Sequence, residues 1–227
     1  MLIYLDLETT GLESSDKIVS IGLVVDDAKM TQEFYDLVNE GKKIPPKASS
    51  IHNITNESIV DKPQLKDTDS FKFLESFNQP GVTLISHNLN YNLMMLKGAC
   101  FEWLGEMIDT RRVSKHLMHD CEEYSLEFLR YELKLYKEEP RGIITHEALS
   151  DAKLTKLLYM RLLSLASHQE QELLSFKNVL IQKFEFGKYA GRYIEEISML
   201  DRGYLEWMLV NIMDLDEDLR YSIEYNL

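Results

Sequence analysis

The stretch Leu2-Ile-Tyr-Leu-Asp-Leu-Glu-Thr-Thr-Gly-Leu12 opens the chain and is typical of a β-strand that ends in a tight turn. Side chains alternate between the two faces of a strand, so Asp6 and Glu8 point to one face and the leucines beside them to the other. Neighbouring carboxylates repel each other, and a divalent cation between them removes that repulsion. The pair therefore predicts a metal site, although an edge strand with solvated acidic side chains would show the same pattern.

Composition narrows the classes of protein to which the chain can belong. Its 227 residues, 44% of them hydrophobic, suit one domain, or one domain and a small module. The two cysteines lack C-x-x-C spacing, no apolar run nears the roughly 20 residues of a membrane span, and no signal peptide is evident. We therefore expect a cytoplasmic protein with no membrane partner. The net charge of -13 argues against a broad basic face for nucleic acid, but permits a pocket filled with cations.

The order of elements predicts an α/β fold. Strands come first and then alternate with helices, which is typical of a central mixed β-sheet flanked by helices. One helix is predicted over 89–104, and its inward residues are Leu93, Leu96, Cys100 and Leu104. The predicted division is a domain at 1–166, a linker at 167–175 that is rich in Gln and Glu, and a small, mainly helical module at 176–227.

A second feature with chemical potential is His146-Glu-Ala-Leu-Ser-Asp151, which begins a long predicted helix at 148–166. The helix dipole favours a carboxylate in the first turn, so Asp151 is a candidate to join the opening pair as a metal ligand. His146 lies in the preceding loop, where it is a candidate general base toward a metal-bound water. The alternatives are a simple helix-start acid and a surface histidine.

A third feature is Ser86-His-Asn-Leu-Asn-Tyr-Asn92, at a predicted strand-to-helix junction. In an open α/β sheet such junctions border the binding crevice, which makes His87 and Asn88 candidate binding residues. The same two residues would also suit ordinary turn and capping positions.

The order of these three features resembles the DEDDh 3'-5' exonucleases, the DnaQ-like branch of the ribonuclease-H-like fold. The segments Phe186-Gly-Lys-Tyr-Ala-Gly-Arg-Tyr193 and Gly203-Tyr-Leu-Glu-Trp-Met208 narrow the resemblance to the bacterial exonuclease X-like family. The match then extends over essentially the whole chain. Its motif positions are Asp6, Glu8, Thr9, Thr10, Gly11 and Leu12, then His87, Asn88 and Tyr91, then His146 and Asp151.

The resemblance implies a metal-dependent 3'-5' exodeoxyribonuclease that releases nucleoside 5'-monophosphates, with DNA repair as its pathway. Two Mg²⁺ or Mn²⁺ ions are implied, held by Asp6, Glu8 and Asp151, while His146 takes a proton from the attacking water. The implied partners are single-stranded or frayed DNA 3' ends, with RNA as an alternative. The implied substrate-binding residues are Thr9, Thr10, Gly11, Leu12, His52, His87, Asn88 and Tyr91.

Asn92 departs from the family pattern, which has an aspartate at this position of the second motif. An amide keeps nearly the same shape but loses a negative charge and one acceptor. In the family this aspartate supports the second metal, so Asn92 implies a weakened second metal and a slower reaction. The nearby Asn90 is also neutral and does not compensate.

The C-terminal module carries six Lys or Arg against ten Asp or Glu, which excludes a wholly basic platform. A local patch of Lys188, Arg192 and Tyr193 is compatible with this balance. The aromatic residues Tyr204, Trp207 and Tyr221 suit either base stacking or, as the favoured interpretation, the core of a small helical unit. We expect an accessory domain that binds substrate or a partner.

Three functions fit these patterns. The leading one is a DNA 3'-5' exonuclease, attenuated by Asn92. The second is an RNA 3'-end exoribonuclease of the same superfamily. The third is a non-catalytic protein that binds nucleic-acid 3' ends, which Asn92 favours.

Overall fold

The computed structural model describes residues 1–27, 29–119 and 121–227, and its first compact unit is built on one sheet. The strands are β1 (Leu2–Thr9), β2 (Ile18–Asp26), β3 (Thr31–Leu37), β4 (Thr83–Ser86) and β5 (Glu106–Asp109). They lie in the order β3-β2-β1-β4-β5, antiparallel from β3 to β1 and parallel from β1 to β5. The predicted mixed sheet is confirmed.

Strand β1 lies at the centre of the sheet and contributes to the core on both of its faces. Ile3 and Leu5 are fully buried in one cluster, and Tyr4 is fully buried in another on the opposite face. The Tyr4 ring packs against the ring of Tyr159, with centroids 5.8 Å apart. Because both edges of β1 are paired and both faces are covered, the residues at its end have fixed positions.

The described residues of the first unit also form a series of α-helices. They are α1 (Pro46–His52), α2 (Asn56–Ile59), α3 (Asp69–Ser76), α4 (Leu89–Gly98), α5 (Thr110–Leu117), α6 (Leu126–Glu132), α7 (Ala148–Leu162) and α8 (His168–Ser175). Short 3₁₀ helices at Leu65–Asp67 and Leu135–Lys137 complete the unit. Within the described ranges, no helix has both the length and the apolar character that a membrane span requires.

The predicted linker at 167–175 is wrong, because helix α8 forms there and belongs to the first unit, Met1–Ser175. The helix is polar in composition but fastened by hydrogen bonds. The Ser175 hydroxyl accepts from the Asp109 backbone N–H at 2.8 Å, and the buried Gln171 side chain donates to the Ala166 carbonyl at 3.1 Å. The polar composition of this stretch suggests a solvated linker, but these hydrogen bonds hold it in the fold as a helix.

The predicted helix at 89–104 is too long, since α4 ends at Gly98. Cys100 adopts a left-handed conformation with φ of 62° and lies exposed, and Leu104 is 64% exposed. The chain reverses here and returns Phe101 and Trp103 to the core instead. Apolar residues therefore continue in the sequence after α4 ends, because Phe101 and Trp103 reach the core from an irregular segment.

The second compact unit comprises Phe176–Leu227 and is mainly helical, as expected. It contains an isolated β-bridge between Lys183 and Tyr193, followed by α9 (Ile194–Leu200), α10 (Arg202–Asn211) and α11 (Glu217–Asn226). This unit has its own core, whose fully or nearly fully buried members include Phe184, Ile194, Ile197, Leu205, Met208 and Ile223.

Candidate active site

Three of the predicted site residues meet where the end of β1 faces the first turn of α7. One carboxylate oxygen each of Glu8 and Asp151 and one ring nitrogen of His146 all lie within 4.8 Å of one another. Asp6 joins them, because the charges of Asp151 and Glu8 both act on its carboxyl group. The structure therefore brings together side chains that are separated by about 140 positions in the sequence.

Gly22 allows α7 to approach the strands this closely. It lies on β2 directly opposite Asp6. A Cβ atom at Gly22 would lie 2.2 Å from the backbone carbon of Ala148 and from the backbone nitrogen of Leu149, so only glycine fits. This contact places the start of α7 beside Asp6, which in turn brings Asp151 to the end of β1.

We expect Gly22→Ala to destabilise the fold by about 2–3 kcal/mol, because the added methyl group must push the α7 backbone away. The same displacement should lower catalytic activity about 100-fold, since misplacement of about 1 Å carries that cost. Urea unfolding and an exonuclease assay measure the two effects. Gly98→Ala is the matched control, because its nearest neighbour would be the Ser14 carbonyl at an ordinary 3.7 Å. Equal stability of the two variants would contradict the assigned packing.

The loop before α7 is fixed by hydrogen bonds to the first turn of that helix. The His146 backbone N–H donates to Asp151 Oδ2 at 3.2 Å, and the Ile144 N–H donates to the Ser150 hydroxyl at 3.2 Å. His146 has a left-handed φ of 58°, and its side chain is exposed. The other oxygen of Asp151, Oδ1, is buried without a hydrogen-bond partner in the described structure. It is therefore available to a ligand.

Burial and the charges of neighbouring carboxylates raise the pKa of each carboxyl group in the site. The pKa of Glu8 rises to about 8, through burial and then the charge of Asp151. The pKa of Asp151 rises to about 7, through burial and then the charge of Glu127. Burial raises the pKa of Asp6 well above its usual range, and Asp151 and Glu8 add to the effect. A divalent cation would reverse all three effects, so the donor set fits such an ion.

Asn92 is buried beside Asp6 and bonded to the strands on both sides. Its Nδ2 donates to Ser86 Oγ at 2.5 Å, and Ser86 Oγ donates to the Leu5 carbonyl at 2.8 Å. Asn92 also makes a side-chain hydrogen bond to Asp6, which lowers the Asp6 pKa against the effect of burial. The amide thus serves as a donor toward two acceptors, a role that an ionised aspartate cannot fill.

The turn after β1 is stabilised by residues that the family resemblance implies are substrate-binding. The side chain of Thr10 is buried, and its hydroxyl donates to Asp16 Oδ1 at 2.7 Å. Thr9 Oγ1 and the Tyr91 hydroxyl contact each other, and each donates to the Gly11 carbonyl at 2.8 Å. The Thr10 side chain therefore builds the turn and does not face the surface, and its contact with substrate stays a prediction.

Leu12, by contrast, is 78% exposed directly after this turn. An apolar side chain that projects from a rigid turn beside the carboxylates is suited to contact a base. His52 ends α1 beside the same turn; its Nδ1 accepts from the Ile54 backbone N–H at 3.0 Å, and its Nε2 is buried without a hydrogen-bond partner in the described structure. Burial lowers the pKa of His52, and nearby His146 lowers it further. The structure thus places Leu12 at the rim of the site, with the buried His52 beside the same turn.

His87 makes two contacts with protein through its ring nitrogens, and its role near the phosphate path stays a prediction. Its Nε2 contacts the Tyr124 carbonyl at 2.8 Å, and its Nδ1 contacts the Thr110 hydroxyl at 3.0 Å. Burial lowers the pKa of His87 to about 4, so the ring is neutral at physiological pH. Both nitrogens are occupied, and the residue holds together the loops at the ends of β4 and β5. Asn88, next in sequence, is exposed with a left-handed φ of 66°, and its role toward substrate stays a prediction.

Two structural acids near the site were not identified from the sequence. Asp109 is buried and accepts from the backbone N–H groups of Asn88, Leu89, Arg111 and Arg112, so it caps α4 and α5 together. Asp16 pairs with Lys42 at 2.7 Å, and this partner holds the Asp16 pKa below its usual range. An acid at the last position of a strand is the only sequence signal for Asp109, and an Asp in a polar turn gives none for Asp16.

Comparison with known families decides how this arrangement is classified. Residues 3–159 match the RNase_T family, which is described as exonucleases and here covers more than half of the chain. The chain belongs to this exonuclease family. Residues 184–213 of this exonuclease match a second family, the exodeoxyribonuclease X-like C-terminal domain. The resemblance that the sequence motifs indicate is therefore confirmed.

Relatives and solved structures agree with this classification. The exonuclease is 28% identical over 230 residues to exodeoxyribonuclease 10 of Escherichia coli (strain K12), with 100% of this chain and 99% of the relative covered. It is 33% identical to DNA polymerase III subunit epsilon of Rickettsia prowazekii (strain Madrid E), over 70% of this chain and 72% of the relative. Exonuclease X in complex with 5' overhanging duplex DNA superposes with a TM-score of 0.64 and 26% identity, over 77% of this chain and 99% of that chain.

Proposed function

We propose that this exonuclease is a metal-dependent 3'-5' exodeoxyribonuclease that releases nucleoside 5'-monophosphates. The observation that carries the proposal is the convergence of Glu8, His146 and Asp151 within 4.8 Å, with Asp6 beside them. Three carboxyl groups with raised pKa values and one exposed imidazole form a suitable site for phosphodiester hydrolysis. The full-length similarity to exodeoxyribonuclease 10 supports DNA as the substrate.

Asp6, Glu8 and Asp151 are the residues that would hold Mg²⁺ or Mn²⁺, both of which prefer oxygen ligands. The unpartnered Oδ1 of Asp151 supports this assignment. A bound ion supplies a water of lowered pKa and neutralises charge on the scissile phosphate. Asn92 presents an amide where an acid would support a second ion, so we propose that the second ion binds weakly.

His146 would accept the proton of the attacking water at a ring nitrogen. Its backbone N–H is tied to Asp151, so the imidazole stays next to the carboxylates while its ring faces solvent. Leu12 would pack against the terminal base, and His52 would lie beside the same turn. We assign the exonuclease to DNA repair on the basis of its family, with the bacterial cytoplasm as its compartment.

A second candidate function is binding of nucleic-acid 3' ends without turnover. The specific observation in its favour is Asn92, which is buried and fully integrated through Ser86 and Asp6. A site with an inbuilt amide is stable without a second ion. Such a protein would keep the pocket and hold an end instead of cutting it.

One assay separates these functions. Single-stranded DNA and RNA with labelled 5' ends are incubated with the protein and with Asn92→Asp, in Mg²⁺ or Mn²⁺. Shortening of DNA from the 3' end by the unaltered protein supports the exodeoxyribonuclease, and faster shortening of RNA supports the ribonuclease alternative. If only Asn92→Asp cuts while the unaltered protein retains DNA, the end-binding function is correct. If neither protein shortens either substrate, the exonuclease proposal fails.

A further inference from the structure

The second unit carries a row of aromatic rings that begins against its core with Tyr189 and Tyr204 and ends at the surface with Trp207. The rings of Tyr189 and Tyr204 meet edge to face, with centroids 5.1 Å apart. The rings of Tyr204 and Trp207 stack at an interplanar angle of 23°, with centroids 6.0 Å apart. Trp207 ends the row and is 51% exposed. The Trp207 indole is therefore exposed to solvent while it stacks against the Tyr204 ring.

Core packing does not explain this arrangement. Leu205 and Met208, which flank Trp207 on α10, fill the core of the unit at 0% and 1% exposure. Tyr221 is also exposed, at 38%. The expectation that Trp207 and Tyr221 belong to a helical core is therefore wrong, and only Tyr204 packs against the core.

Two cations lie over the same rings. The Lys188 ammonium is 4.7 Å from the Tyr189 ring centroid and 5.5 Å from that of Tyr204. The Arg192 guanidinium is 6.0 Å from the Tyr189 centroid. Both cations also pair with acids, Lys188 with Asp201 and Arg192 with Glu196. Exposed pairs of this kind contribute little free energy, so a phosphate can replace the acid at low cost.

Charge is divided unequally within the second unit. Residues 183–193 carry three basic side chains against one acidic side chain, whereas 194–227 carry two against nine. The basic segment is the one that contacts the aromatic row. This basic segment, in a chain with a net charge of -13, supplies two cations that a polyanion could contact in exchange for Asp201 and Glu196.

We propose that Lys188, Tyr189, Arg192, Tyr204 and Trp207 form a binding surface for single-stranded nucleic acid. A base would stack on the exposed face of Trp207, and the adjoining phosphates would contact Lys188 and Arg192. Stacking of this kind tolerates any base, as an exonuclease requires. The inference rests on the proposed function, to which it adds a second contact that keeps a long strand bound between cleavage events.

Tryptophan fluorescence of the full chain tests this surface. The protein has two tryptophans, and Trp103 is only 5% exposed, so quenching by an added strand reports mainly on Trp207. We would titrate 30-nucleotide oligo(dT) in EDTA, where hydrolysis cannot occur. We expect quenching by the oligonucleotide, and about 10-fold weaker binding by Trp207→Ala in fluorescence anisotropy of labelled oligo(dT). Trp207→Phe should restore most of the affinity, and Val210→Ala, at an exposed site on the same helix, should leave it unchanged.

Further measurements separate this proposal from the catalytic one. In Mg²⁺, Trp207→Ala should dissociate more often from a long strand during hydrolysis than the control Val210→Ala does. The double variant Lys188→Ala with Arg192→Ala should reduce the salt dependence of binding by about two phosphate contacts. Quenching by oligo(dT) in a protein without nuclease activity would uphold the surface and overturn the proposed function. If oligo(dT) causes no quenching and Trp207→Ala binds it with unchanged affinity, the surface does not bind nucleic acid. A protein partner would then be its remaining occupant.

Discussion

Replacing Glu8 by glutamine is expected to slow 3'-end hydrolysis by about three orders of magnitude in saturating Mg²⁺. Glutamine keeps the size of the side chain but removes the charge that holds a divalent ion beside Asp151. Loss of several kcal/mol of metal-dependent stabilisation in the transition state corresponds to a rate change of this size. Single-turnover hydrolysis of labelled DNA measures it directly.

The same substitution should stabilise the protein when metal is absent. Because the pKa of Glu8 is raised from 4.5 to about 8, the folded state holds a proton that the unfolded state has released between these values. The metal-free protein therefore loses stability as pH rises from about 5 to 8. Glu8→Gln lacks this loss, so at pH 8 in EDTA it should be more stable by about 1–3 kcal/mol.

The matched control for this pair of measurements is Glu13→Gln, at an exposed acid in the following turn. It should leave both the rate and the pH dependence unchanged. Mg²⁺ should restore stability to the unaltered protein at pH 8 but have little effect on Glu8→Gln. A Glu8→Gln protein that is less stable than the unaltered one at pH 8 in EDTA would contradict the assigned repulsion.

Replacing Asn92 by aspartate should lower the stability of the metal-free protein and raise the rate of hydrolysis in the presence of metal. In EDTA at pH 8 it should destabilise the fold by about 1–3 kcal/mol, because the carboxylate faces Asp6 and loses both donor contacts. In Mg²⁺ or Mn²⁺ it should raise the rate of hydrolysis about 10- to 100-fold, the range found for residues that orient ligands around a metal. Thermal unfolding and the labelled-strand assay measure the two effects.

Asn90→Asp adds the same charge to an exposed position on the same helix and serves as the control. It should change neither stability in EDTA nor the rate by a comparable factor. An Asn92→Asp protein with unchanged activity would show that the amide does not limit metal binding. Unchanged stability in EDTA would contradict the hydrogen bonds assigned to Asn92.

Much of the first unit follows from sequence because its determinants are local. The alternation in β1 predicts that Asp6 and Glu8 share one face. The apolar spacing of α7 predicts that Asp151 lies in the first turn of this helix. These local rules, with the family resemblance, predict the mixed sheet and which side chains belong together. They fail where polar groups are buried, as in α8, where hydrogen bonds replace apolar spacing.

Other features depend on contacts between distant segments, which periodicity cannot reveal. In the sequence nothing distinguishes Gly22 from other strand residues; its importance comes from the α7 backbone that lies against it. By sequence, Asn92 is only the replacement of an expected aspartate, whereas in the structure its amide donates to Ser86 and Asp6. His87 resembles a binding residue by position, but both its nitrogens are bonded to protein. In each case the partner, which is remote in sequence, decides the role.

The identity of the released product tests the central claim most directly. The protein is incubated with single-stranded DNA and Mn²⁺, and the soluble products are separated by chromatography against nucleotide standards. We expect nucleoside 5'-monophosphates from the 3' end, formed by the unaltered protein and lost in Glu8→Gln. Nucleoside 3'-monophosphates, internal fragments or equal product from Glu8→Gln would contradict it.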